Sequence, residues 1–140
     1  MSDLSHVDDA GSVRMVNVGD KPLSRRHAIA CAEVQMSSET TRRLRDLPKG
    51  DALATAQLAG IMAAKRTSEL IPLCHPLPLS SVDVSLEVRP GAVSITASAE
   101  TTAQTGVEMA ALTIYDMCKA VDKTMTIGGV RLVEKTKEPA

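Results

Sequence analysis

Val82-Asp83-Val84-Ser85-Leu86-Glu87-Val88-Arg89-Pro90-Gly91-Ala92-Val93-Ser94-Ile95-Thr96-Ala97-Ser98-Ala99 reads as a β-hairpin. Val82, Val84, Leu86 and Val88 alternate with Asp83, Ser85 and Glu87, the period of a half-buried strand. Arg89-Pro90-Gly91-Ala92 supplies turn chemistry. Val93, Ile95, Ala97 and Ala99 then carry the return strand.

Upstream, Ala28, Ala30, Ala32, Val34 and Met36 alternate from His27 to Met36 and predict another strand. Ile29 and Cys31 lie on its second face, which is therefore expected to be partly buried. Ser38 is placed to cap a short helix through Arg45. Leu47-Pro48-Lys49-Gly50 is a turn, after which Asp51 caps a long helix to about Thr67. That helix is rich in Ala and Gly, which permits close approach of a sheet or a second helix. Downstream, Gly106 to about Val121 reads as helix, with Val107, Ala111, Leu112, Tyr115 and Cys118 near one stripe. Met125 to Val133 is a last strand, interrupted at Gly128-Gly129. Met1 to Asp20 is expected to be an extended arm on which Val13, Met15 and Val16 could dock. The order is β-α-β-β-α-β with the first helix doubled. It predicts an α+β, ferredoxin-like sandwich, an antiparallel sheet with helices on one face. With 140 residues, no repeat and no linker, residues 1–140 are read as a single domain.

Composition narrows the function. There is no Phe, no Trp and one Tyr, so Ala, Val, Leu, Ile and Met must fill the core. Sixteen basic residues balance seventeen acidic ones, and no global field draws the chain to nucleic acid or to a membrane surface. Aromatic platforms for base stacking are missing as well. Cys31, Cys74 and Cys118 are odd in number and share no metal-ligand spacing, which fits reduced thiols in a cytoplasmic protein. No apolar run approaches the ~20 residues of a bilayer span. Met1 to Asp9 is polar and acidic, unlike a signal peptide.

Leu70-Ile71-Pro72-Leu73-Cys74-His75-Pro76-Leu77-Pro78-Leu79 is the stretch with the most chemistry in it. Its prolines stiffen an apolar run and push preceding residues to extended geometry. His75 therefore sits on a taut strap, either as a proton-transfer group or as a buried imidazole with one backbone partner. Lys49 stands at a helix N-terminus, where anions gather, and is equally a solvated loop lysine. Lys65-Arg66 complements a helix C-terminus and could also hold a phosphate chain near His75. Glu108 lies in a helical first turn. Asp116 and Lys119, three apart, share a helix face with apolar neighbours Ile114, Met117 and Ala120. A lysine in such a surround becomes a usable acid or base. His, Glu, Asp and several cations on loops and helix ends suit acid–base work on a phosphorylated substrate.

The strings Leu70–Leu77, Lys49-Gly50-Asp51, Ala59–Thr67, Thr105-Gly106-Val107-Glu108-Met109 and Ala111–Ala120 resemble the cyclic pyranopterin monophosphate synthase family, the C proteins of molybdenum-cofactor biosynthesis. Leu4–Asp8 and Met15–Val18 fit the same pattern. The resemblance implies a lyase that converts 3′,8-cyclo-7,8-dihydroguanosine triphosphate to a cyclic pyranopterin monophosphate and releases diphosphate. It implies a homohexamer, a trimer of dimers, with active sites between subunits. It carries catalytic roles onto Asp116, Lys119, Lys49, His75 and Glu108. Substrate-binding roles fall on Leu73, Cys74, His75, Glu108, Met109, Lys65, Arg66 and Lys135. No resident metal or cofactor is implied, although Mg²⁺ could accompany the triphosphate.

Three departures stand out. About eight residues of the family pattern, roughly two helical turns including a second site glutamate, have no counterpart between Met109 and Ala110. Thr136-Lys137-Glu138-Pro139-Ala140 replaces a Gly-rich tail, and Asn17 stands where Asp is usual. A genuine deletion would mark an impaired or non-catalytic member that still binds a purine or pterin triphosphate. An intact mass of 14.8 kDa would establish the deletion.

Overall fold

The computed structural model describes residues 7, 9–15, 17–48, 50–103 and 126–139. The elements are β1 (Ser24–Gln35), α1 (Ser38–Arg42), α2 (Ala52–Lys65), α3 (Thr67–Leu70), β2 (Leu79–Arg89), β3 (Ala92–Ala103) and β4 (Thr126–Pro139). They form a four-stranded antiparallel sheet in the order β2-β3-β1-β4. The strands β1 and β2 are separated by β3, the split β-α-β arrangement of a ferredoxin-like α+β fold. The helix expected over 106–121 lies outside the described residues.

The hairpin forms as its alternation requires. Its turn spans Pro90-Gly91 between Arg89 and Ala92, and Gly91 takes φ +84°, a region open to glycine. Strand β1 begins three residues before the expected His27 and presents Ser24, Arg26, Ala28, Ala30, Ala32 and Val34 to the core face. Ile29 and Cys31, on the second face, are half-buried as their apolar character suggests. Small side chains on both layers let α2 sit close: Ala56 and Ala64 of the helix join Ala28, Ala30, Ala97 and Ala99 of the sheet. Gln57 Nε2 donates to Val84 O at 3.1 Å and ties α2 to β2.

Other boundaries also differ from the expected ones. Ser37, not Ser38, caps α1, accepting from Thr40 N at 3.1 Å. The helix ends at Arg42, short of Arg45. Helix α2 stops at Lys65 because the buried Thr67 hydroxyl donates to the last carbonyls, Ala63 O and Ala64 O, and α3 starts a new turn. Strand β4 runs through the glycines to Pro139, with register shifts between Ile29/Ala30 and Cys31/Glu33 of β1 and Gly129 at φ +60°. The interruption expected at Gly128-Gly129 is thus a bulge within a continuous strand. The N-terminal arm docks differently as well. Val13 and Met15 are 68% and 47% exposed, and Val18 is the residue that is buried. Val16 lies outside the described residues.

Candidate active site

The topology places several of the candidate residues at one end of the sheet. Here β1 and β2 begin, β3 and β4 end, and α2 delivers its C-terminus. The proline strap bridges α3 and β2 across this end. Asp51 fixes the start of α2, its carboxylate accepting from Leu53 N at 3.0 Å and Ala54 N at 3.2 Å. The 14-residue helix then carries Lys65 and Arg66 to the strap end. Both are exposed.

The strap is pinned at both ends. Ile71 N donates to Thr67 O at 2.8 Å, and Cys74 N donates to Ile71 O at 3.1 Å. At the far end the fully buried Thr101 hydroxyl donates to Pro78 O at 2.7 Å. Between these ties Leu73, Cys74 and His75 are half-buried, and Cys74 Sγ lies 3.3 Å from His75 O. The imidazole is thus on a fixed wall and in reach of solvent. A pocket of about 310 Å³ opens beside the strap, lined by Ile61 and Lys65 of α2 and by Leu77, Leu79, Ser80 and Val82. A larger hollow of about 670 Å³ on the opposite, open sheet face is lined by residues such as Cys31, Glu33 and Gly128, none of them a candidate. Of the two, the smaller pocket is the one lined by a candidate residue, Lys65, and by the strap's Leu77.

Lys135 of β4 pairs with Ala28 and so falls on the helix-bearing face at the same end. The structure therefore places Lys65, Arg66, Leu73, Cys74, His75 and Lys135 at the same end of the sheet, Lys135 on the edge strand farthest from β2. Glu108, Met109, Asp116, Lys119 and Lys49 lie outside the described residues. The neighbours of Lys49 are at the other end of the sheet. Gly50 and Asp51 precede α2, and Leu47 and Gly50 exchange backbone hydrogen bonds of 3.2 and 2.8 Å. The preceding helix α1 approaches the hairpin turn, where Gly91 N donates to Thr41 Oγ1 at 3.4 Å. At 1.5 Å per residue α2 spans about 21 Å. One chain does not place this corner beside His75.

Three buried polar residues at the strap end are absent from the candidates named by sequence: Ser24, Arg26 and Thr101, at 3%, 6% and 0% exposure. Arg26 Nε donates to Ser24 Oγ at 3.1 Å. The signal was an arginine in phase with Ala28, Ala30 and Ala32, two residues before the alternation becomes apolar. Among the described residues no three His, Cys, Asp or Glu side chains cluster to hold a metal, and no helix is long and apolar enough to cross a membrane.

A split β-α-β sheet with a proline strap at one end defines a ferredoxin-like α+β protein. Residues 15–138 match the MoaC family. The chain is 55% identical over 148 residues to the cyclic pyranopterin monophosphate synthase of Roseiflexus castenholzii, covering 97% of this chain and 94% of that protein. The synthases of Heliobacterium modesticaldum and Pelotomaculum thermopropionicum are 53% and 52% identical over 97% of this chain, covering 93% and 87% of their own lengths. The chain belongs to the MoaC family. The matched stretch of 148 residues is longer than the chain's 140, so these relatives hold at least eight positions without a counterpart here.

Proposed function

We propose that this protein is a cyclic pyranopterin monophosphate synthase, a lyase of molybdenum-cofactor biosynthesis acting on 3′,8-cyclo-7,8-dihydroguanosine 5′-triphosphate. The observation that carries the reading is 52–55% identity to synthases of that name along 97% of the chain. The cyclic phosphate forms when a hydroxyl of the substrate attacks the α-phosphorus and diphosphate leaves. This needs a base for the hydroxyl proton and cations for the leaving charge. Asp116 and Lys119 are the acid–base couple. His75 and Glu108 bind or protonate the pterin side, and Leu73, Cys74 and Met109 shape its pocket. Lys49, Lys65, Arg66 and Lys135 hold phosphates, and Mg²⁺ is an optional companion of the triphosphate. The site is cytoplasmic and shared between subunits of a homohexamer, a trimer of dimers. The ~21 Å of α2 supports the sharing, because Lys49 of one chain needs the strap of another.

Turnover of the cyclic dihydro-GTP, read as diphosphate release and pterin product, tests the reading. Lys119→Ala and Asp116→Ala are each expected to cut the rate by roughly 10²–10⁴ while the protein still folds. Near-native rates in both variants would remove the acid–base assignment. The missing positions favour one second reading, a member that binds the triphosphate without turning it over. Calorimetric binding with no turnover in the unaltered protein would establish it.

A further inference from the structure

Thr67 and Thr101 are the largest fully buried side chains among the described residues, at 1% and 0% exposure. Ala28, Ala30, Ala97 and Ala99 are the apolar side chains buried as completely. A hydroxyl taken out of water costs free energy unless it is bonded, and both hydroxyls are bonded to backbone carbonyls. Thr67 Oγ1 donates to Ala64 O at 2.9 Å and to Ala63 O at 3.2 Å, and Thr101 Oγ1 donates to Pro78 O at 2.7 Å. The two residues stand at the two ends of the strap.

From Thr67 a run of hydrogen bonds leads to the candidate histidine. Thr67 O accepts from Ile71 N at 2.8 Å, Ile71 O accepts from Cys74 N at 3.1 Å, and Cys74 Sγ donates to His75 O at 3.3 Å. Pro72, Pro76 and Pro78 lock φ along the strap and leave few soft angles between the two anchors. Among the described residues no side chain bonds the imidazole, so the strap backbone sets where the ring stands. The helix has less need of the Thr67 hydroxyl than the strap has. Ala63 O keeps a second partner in Arg66 N at 3.1 Å, and the bond from Ile71 N closes α3 without it. What the hydroxyl adds is a fixed break between α2, which ends at Lys65, and α3, which starts at Thr67.

We infer that Thr67 is a positioning residue for His75. Its hydroxyl fixes the break between α2 and α3 and, through Ile71 and Cys74, the place of the imidazole, while Thr101 holds the other end of the strap. The inference rests on the synthase reading for its effect on turnover, and not for the placement of the ring.

The test follows the imidazole directly. The chain has three histidines, and the His75 ring is assigned in the proton–nitrogen spectrum of the full-length protein by its loss in His75→Ala. Thr67→Val keeps the shape of the side chain and deletes the donor. It is expected to shift and broaden the His75 signals while those of His27 stay in place. Thr67→Ser, which keeps the hydroxyl, should bring them back toward the wild-type positions. The amide protons of Ile71 and Cys74 should exchange about tenfold faster in Thr67→Val, the loss of one buried hydrogen bond. Thr41→Val is the control: it removes a buried hydroxyl that donates to Ser38 O at 2.8 Å, in α1, and should leave the His75 signals unmoved. With the cyclic dihydro-GTP, kcat/KM per folded chain should fall about tenfold to a hundredfold in Thr67→Val, the scale of a small misplacement, and recover in Thr67→Ser. Should Thr67→Val fail to fold, Thr67→Ala set against Thr67→Ser makes the same comparison, because the two differ only in the hydroxyl. Unmoved His75 signals in the variant without the hydroxyl overturn the inference, as does an equal shift in Thr41→Val. A ring that moves as expected, in a protein that never turns the substrate over, sinks the synthase reading alone. Turnover with a ring insensitive to Thr67 sinks the positioning role alone.

Discussion

Thr101 shows how one hydroxyl can serve the fold and the site together. It is fully buried, and its bond to Pro78 O holds the exit of the strap against β3. Thr101→Val keeps the shape and deletes the donor, leaving a proline carbonyl unsatisfied. The expected cost is about 1–3 kcal/mol in denaturant unfolding, the penalty of an orphaned buried group. The strap would also lose its anchor, so the KM for the cyclic dihydro-GTP should rise, which a purely global loss of stability would not produce in the folded fraction. The sequence could point to His75, because prolines around a lone imidazole are conspicuous. It pointed to Arg26 only through its phase with Ala28, Ala30 and Ala32, and to Thr101 not at all. A threonine at a strand end and an arginine at a strand start look like ordinary surface residues, and only the register reveals that both are buried beside the strap.

At the scale of elements, the hairpin and β1 were legible because their alternation has the period of the pleat. Helix α2 was legible at its start, where Asp51 meets an Ala-rich run, and less so at its end. The stop at Lys65 depends on where the Thr67 side chain turns, and it turns back to Ala63 O and Ala64 O. The C-terminal half of β4 was not legible at all. Glu134-Lys135-Thr136-Lys137-Glu138 carries no apolar alternation, and it becomes strand because β1 offers it a template along its whole length. Its exposure on every residue agrees with an edge held by backbone pairing more than by burial. The cap of α2 is the element whose contribution can be read most directly. Asp51→Ala removes the acceptor of two helical N–H groups and should cost about 1 kcal/mol, seen as a lowered unfolding midpoint with an unchanged m-value.

Among the described residues, apolar side chains are left exposed on both α2 and β4. Leu58 and Met62 lie four apart on α2 at 62% and 55% exposure, and Val130, Leu132 and Val133 are exposed along β4. A core built mostly from Ala and Val has no large aromatic anchors to compensate, and contiguous exposed apolar side chains of this kind mark interfaces. Closed symmetry is the usual outcome for copies of one chain, and a trimer of dimers satisfies it. The division of candidate residues makes the same demand from the side of chemistry, since the Lys49 corner and the His75 strap are separated by the length of α2. Light scattering is therefore expected to give a mass near six chains. A sharper test mixes Lys49→Ala with His75→Ala after each has been purified inactive. If a site takes Lys49 from one subunit and His75 from its neighbour, reassembly at equal amounts leaves about a quarter of the sites with both wild-type residues. Activity should recover to about that fraction, and only after subunits have been allowed to exchange. Recovery of nothing, in a mixture shown by mass to contain mixed oligomers, would place Lys49 and His75 in the same subunit's site or outside the site altogether. A stable, active monomer at micromolar concentration would contradict the shared site at its root.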